Sequence, residues 1–137
     1  MNTDPSLEGR ILRESRTIAV VGLSADPDKP SHEVAAYLQS RGYRIVPVNP
    51  KGGTILGEAV WPDLASIPFP VDVVDVFRPP AACPEVARQA VAIGARFLWL
   101  QLGIVSEEAA RIAREGGLGV VMDRCMLIEH QKCSAAG

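Results

Sequence analysis

This chain is poor in the residues that most often announce a chemistry. Three cysteines stand at scattered positions among 137 residues. An odd, dispersed set makes no disulfide framework and points to a reducing cytoplasm. The two histidines, His32 and His130, lie far apart, so no Ser/His/Asp triad is credible. Aromatic residues make up 5%. The apolar run from Val71 to Phe77 is interrupted by Asp72 and Asp75 and is far too short to span a bilayer. Residues 1–8 lack a charged n-region and an apolar h-region, so no signal peptide is expected. A net charge of −2 and a pI near 5.7 give no field that would draw nucleic acid or an anionic membrane.

What is present is 47% hydrophobic content arranged in a strand–helix rhythm. The length suits a single domain over residues 1–137, with its core between about 11 and 130. Such a chain buries roughly two-thirds of its unfolded surface and needs no staples. Leu7, Ile11 and Leu12 sit at helical spacing. The expected strands are Thr17–Gly22, Tyr43–Val48, Val71–Val76, Phe97–Leu100 and Gly119–Met122. A helix capped by Ser31 follows the first strand and stops at Gly42. A second spans about Ala82–Gly94. A third is capped by Ser106 and ends at Gly116-Gly117. A last turn or two covers Met126–Lys132. The segment 52–70, with its glycines and prolines, reads as irregular apart from a helical turn at Asp63–Ser66. The fold class is therefore α/β: a Rossmann-like, doubly wound, mainly parallel sheet of about five strands with helices on both faces.

In such sheets ligands lie outside the carboxyl ends of the strands, where strand order reverses. The first of these ends carries Gly22-Leu-Ser24 and a loop to Lys29-Pro30-Ser31. Backbone N–H groups and a helix N-terminus meet there, which suits a phosphate. Gly22 fills the first position of a dinucleotide fingerprint, but Ser24 and Pro27 replace its later glycines. The second strand ends in Asn49-Pro50-Lys51 without the acid that would hold a ribose diol. NAD is therefore disfavoured, and a phosphate near Lys51 is favoured. Taken singly, Gly22 is a turn and Lys29 a solvated charge. Together with a second basic strand end they indicate a nucleotide-like cofactor.

Several motifs occur in order: Thr17-Ile-Ala-Val-Val-Gly-Leu-Ser24, Lys29-Pro-Ser31, Pro47-Val-Asn-Pro50, Val73-Val-Asp-Val-Phe-Arg78, Trp99-Leu-Gln-Leu-Gly103 and Val121-Met-Asp-Arg-Cys125. These resemble the small single-domain CoA-binding proteins, which are similar to the N-terminal domain of the succinyl-CoA synthetase α subunit. The resemblance covers about Ile11 to His130. It implies that coenzyme A or an acyl-CoA sits at the carboxyl edge of the sheet. Gly22, Ser24, Lys29, Pro30 and Ser31 would then lie at its phosphates, and Val48, Asn49, Pro50 and Lys51 at the adenosine end. Val76, Phe77 and Arg78 would form a wall, and Gln101 and Gly103 the pantetheine side. CoA carries a 3′-phosphate, which suits Lys51. The phosphorylated-histidine loop of the synthetase belongs to a second domain that this sequence does not contain.

The function expected is non-catalytic binding of CoA or acyl-CoA, as a carrier, sensor or regulatory module. One rival is the CoA-binding subunit of a multi-chain acyl-CoA ligase, with a ligase partner protein. Another is an NAD(P)-responsive redox regulator. No nucleic acid, membrane or metal is expected, and the oligomeric state stays open. Cys125, at the end of the fifth strand, is either buried and inert or faces the cleft. Cys125, His130 and Cys133 are weak evidence for zinc. His32 is expected to be a partly exposed helix-start residue, and His130 to be solvated. Asp75 is expected to cap or pin a neighbouring loop, and Asp123-Arg124 to form an ion pair or a loop anchor. Cys83 has packing as its leading role.

Overall fold

The computed structural model describes residues 2–136. Five parallel strands form the sheet: β1 (Thr17–Val21), β2 (Arg44–Val48), β5 (Val73–Val76), β6 (Phe97–Leu100) and β7 (Gly119–Val121). Their order is β2-β1-β5-β6-β7. The chain runs outward from β1 to β2, then returns past β1 to β5. The switch point therefore lies between the carboxyl ends of β1 and β5, where Val21 pairs with Val76.

The strands are buried on both faces because alternate residues pack into two separate clusters. Ala19, Val46, Val74, Leu98 and Val120 meet α3 (Cys83–Ala92) and α4 (Glu107–Glu115). Ile18, Val20, Ile45, Val73 and Trp99 meet α1 (Leu7–Glu14), α2 (Pro30–Ser40) and α5 (Met126–Ala136). This double cover explains why the strands read as mainly apolar runs rather than as alternating patterns. Trp99 is fully buried, and its indole N–H donates to the Arg124 carbonyl at 2.9 Å.

The helix starts follow local chemistry. Ser6 Oγ accepts from Gly9 N–H at 3.0 Å, and Ser106 Oγ from Ala109 N–H at 3.1 Å. The start of α2 differs from expectation. Lys29 is its N-cap and Pro30 its first residue, a position that tolerates a missing N–H. Ser31 is thus inside the helix and does not cap it. The segment 52–70 also holds more order than its composition suggests. A small hairpin, β3 (Thr54–Ile55) with β4 (Glu58–Ala59), turns through Leu56 and Gly57, both at positive φ. A 3₁₀ turn follows at Leu64–Ser66. Asp72 falls just before β5, where Oδ2 accepts the N–H groups of Arg16 and Thr17. The final helix α5 continues to Ala136, past the expected stop at Lys132. His130 is not solvated. It is half-buried on α5, with Nδ1 2.8 Å from the Tyr37 hydroxyl and its ring edge-on to Tyr37 and Tyr43. No described helix is long and apolar enough to cross a membrane.

Candidate functional site

β1 ends at Gly22, which must leave the strand beside the carboxyl end of β5. Its φ is +87°, and a Cβ there would stand 2.5 Å from the Phe77 carbonyl oxygen. Only glycine meets both demands. Its N–H donates to the Val48 carbonyl at 3.0 Å, so the ends of β1 and β2 are tied together at this point. The loop that follows is held by its own polar groups. Ser31, buried at the start of α2, accepts from Ser24 N–H at 3.0 Å. Ser24 Oγ accepts from Asp26 N–H. Asn49 spans two loops: Nδ2 donates to the Leu23 carbonyl, and Oδ1 accepts from Lys51 N–H.

Around this junction the carboxyl edge opens into three adjoining lobes. A lobe of about 270 Å³ is lined by Gly22, Ser24, Lys29, Pro30, Ser31 and Phe77. A second, of about 420 Å³, includes Val48, Asn49, Pro50, Lys51, Asp63 and Gln89. A third, of about 470 Å³, runs between Val34, Phe77, Gln101, Leu102, Ile104 and Cys125. Phe77 borders all three lobes, and Arg78 borders the two larger ones. Lys29, Lys51 and Arg78 are exposed, and none has an ion-pair partner among the described residues. The three cations therefore add positive potential around the loop and the α2 N-terminus, where helix N–H groups also favour an anion. Asp26, Asp28 and Asp63 lie nearby, but Asp26 and Asp63 already accept backbone N–H groups through Oδ1.

Most of the residues expected from sequence come together here. Val76 does not line a lobe; it is fully buried behind the wall that Phe77 and Arg78 form. Gly103 lies outside the three lobes, at φ +84°, and donates its N–H to Asp123 Oδ1 at 2.7 Å. Asp123 thus anchors a loop. Arg124 donates to the Asp123 main-chain carbonyl and makes no side-chain ion pair with it. Cys125 is half-buried and faces the third lobe, so it is not a core thiol. Cys83 and Cys133 are buried, and burial pushes both thiols up, Cys133 to about 11. Cys133 lies against Asp4 Oδ2 and His130 against Tyr37, so neither joins Cys125 as a metal ligand.

Sequence reasoning left out the apolar part of the third lobe. Val34, on the buried face of α2, lies at the edge where the cleft opens. Leu102 is 62% exposed and lies two residues past the end of β6. An exposed leucine just past the carboxyl end of a strand was the available signal. The expectation for Asp75 was also incomplete. Its carboxyl is fully buried, and Oδ1 accepts from Gln101 Nε2 at 2.7 Å. Oδ2 has no partner. Burial pushes this carboxyl up to about 7, against the lowering effect of the Gln101 hydrogen bond.

A model of the CoA binding domain family matches residues 16–131. YneT of Bacillus subtilis is 42% identical over 120 residues, which cover 88% of this chain and 89% of that protein. The solved structure of cell-free ID.343 from Thermus thermophilus is 40% identical and superposes with a TM-score of 0.87, covering 90% of this chain and 94% of that one. The ADP-forming acetate–CoA ligase II of Archaeoglobus fulgidus is 29% identical over 98 residues, 70% of this chain but only 15% of the ligase. A match over most of the sequence, joined to a relative of nearly the same extent, settles the family: the chain belongs to the CoA binding domain family, of the succinyl-CoA synthetase α type.

Proposed function

We propose that the protein binds coenzyme A across the three lobes and carries, senses or delivers it without transforming it. The observation that carries this reading is the junction at Gly22 and Phe77. A loop with a helix N-terminus and unpaired Lys29 there connects a basic lobe to a mostly apolar one. CoA has the same order of parts: a phosphorylated adenosine, a diphosphate and a long, weakly polar pantetheine arm. The diphosphate suits the small lobe, where Ser24, Lys29 and Ser31 offer donors and charge. The 3′-phosphate of the adenosine end suits Lys51, beside Asn49 and Pro50. The pantetheine arm suits the third lobe, along Val34, Phe77 and Ile104, with its sulfur toward Gln101 and Cys125. The cofactor supplies a thiol; the chain's own residues bind it and orient it.

The test compares ligands that differ by one group. CoA is expected to raise the unfolding midpoint, and dephospho-CoA to raise it much less. At about a hundred times its dissociation constant a ligand adds ~2.7 kcal/mol, or several degrees for a domain of this size. Equal shifts from CoA, dephospho-CoA and NAD would sink the reading. A second reading rests on the match to the acetate–CoA ligase. In it, the chain is the CoA-holding part of a ligase that acts with separate partner chains. An ATP- and acid-dependent thioester assay with such partners distinguishes the two.

A further inference from the structure

Asp75 is an odd residue to find in the middle of β5. It pairs in register with Val20 on β1 and Trp99 on β6, in a strand whose other residues are all valine. Among the described residues it has no cationic partner, and one of its oxygens is left unsatisfied. Such burial is costly, and an apolar residue would remove the cost. The one side chain it contacts by hydrogen bond is Gln101, itself 3% exposed, which reaches the third lobe.

The main chain of Gln101 is already fixed. Its N–H donates to the Val76 carbonyl at 3.3 Å, and its carbonyl accepts from Ile104 N–H at 2.9 Å. What remains free is the sense of the amide. A carboxylate only accepts, so it draws the NH₂ group, and the planar amide then turns its oxygen the other way. Gln101 Oε1 takes no hydrogen bond among the described residues. Yet the only sealed, partnerless side-chain polar atoms among them are Ser15 Oγ and Asp75 Oδ2. Gln101 Oε1 is therefore open to the cleft.

We propose that Asp75 holds the Gln101 amide with its oxygen toward the third lobe, so that this wall accepts hydrogen bonds and favours a ligand ending in a free thiol over the same ligand as a thioester. This rests on the CoA reading given above. A thiol S–H donates, weakly, to an amide oxygen. A thioester carbonyl brings a second acceptor to the same place, and two facing acceptors repel. Asp75 acts here as a positioning residue, through Gln101, and does not touch the ligand.

The experiment is calorimetry at pH 8.0 with reductant, using CoA and acetyl-CoA against the wild type, Asp75→Asn and Gln101→Met. The wild type is expected to bind CoA about two- to tenfold more tightly than acetyl-CoA, the range of one hydrogen bond. An asparagine at 75 can donate as well as accept, so the amide is free to turn, and the ratio is expected to fall to about one. Gln101→Met, which removes the amide without removing bulk, is expected to do the same. A purely structural role would weaken both ligands alike and leave the ratio intact; that outcome overturns the proposal. So does a wild type that prefers acetyl-CoA. If Asp75→Asn does not fold, an unchanged ratio in Gln101→Met overturns it alone. A wild type that binds neither ligand overturns the CoA reading, and this proposal with it.

Discussion

Replacing Asp75 by asparagine tests how the protein carries a buried acid. In the unfolded chain the carboxyl titrates at its ordinary 3.8; in the folded chain it titrates at about 7, because burial disfavours the charge. Below pH 4 both states hold the proton, and above about 7 neither does. Between these limits only the folded state holds it, so folding takes up a proton and stability falls as pH rises. At about 1.4 kcal/mol per pH unit, the rise from 3.8 to about 7 amounts to about 4 kcal/mol. About 3 kcal/mol of this falls between pH 5 and 8. Asparagine cannot titrate, and it keeps the side chain's shape. Urea unfolding of both proteins across pH 5–9 gives the stability difference directly. Other titrating groups, such as His130, whose burial lowers its pKa, are common to both proteins and cancel. The difference is expected to move toward the variant by about 3 kcal/mol, with most of the change below pH 7. A difference that stays flat within about 1 kcal/mol would refute the account, because it would mean that water or a rearranged partner reaches Asp75 in the folded state.

The other predictions concern the cleft. Lys29→Ala is expected to weaken CoA binding by about ten- to a hundredfold with little change in unfolding midpoint, since Lys29 is exposed and outside both cores; unchanged affinity by calorimetry would show it to be merely solvated. Gly22→Ala is expected to cost roughly 1–3 kcal/mol from positive φ alone, and more from the contact with the Phe77 carbonyl; a wild-type denaturation midpoint would contradict that geometry. Treatment with CoA disulfide should label Cys125, which faces the third lobe, and spare Cys83 and Cys133, whose thiols burial holds up. Peptide mapping without reductant reads the adduct, and labelling of Cys133 alone would count against the cleft assignment.

Much of this was visible in the sequence because it depends on neighbours along the chain. Ile18 to Val21 is apolar throughout because both faces of the sheet are covered. Gly22 follows directly, and Ser106 marks its helix by a single hydrogen bond. The start of α2 misled because Ser31 and Pro30 are both helix-start signals one residue apart, and proline's fixed φ decides between them. The hairpin at residues 54–59 has strands of two residues, too short for any period to show. The Asp75–Gln101 contact joins residues 26 apart in sequence. It becomes visible only once Asp75 is in register with Trp99, which brings the residue two further along β6 beside it. His130 was misjudged for a related reason. The aromatic rings that shelter it come from α2 and from Tyr43, just before β2, and nothing near it in sequence announces them.

The three lobes share their walls, and this has a consequence for how a ligand is held. Phe77 borders every lobe, and Gly22 lets the backbone of two strands close up so that no spacer separates them. Once one end of a linked molecule is seated, its other end faces its own lobe at an effective concentration in the millimolar range or above. Each lobe alone is open and offers few contacts, so detached pieces of such a molecule would bind feebly. Tight retention then belongs to the intact chain of groups, and a single cleavage in the ligand's middle releases both halves.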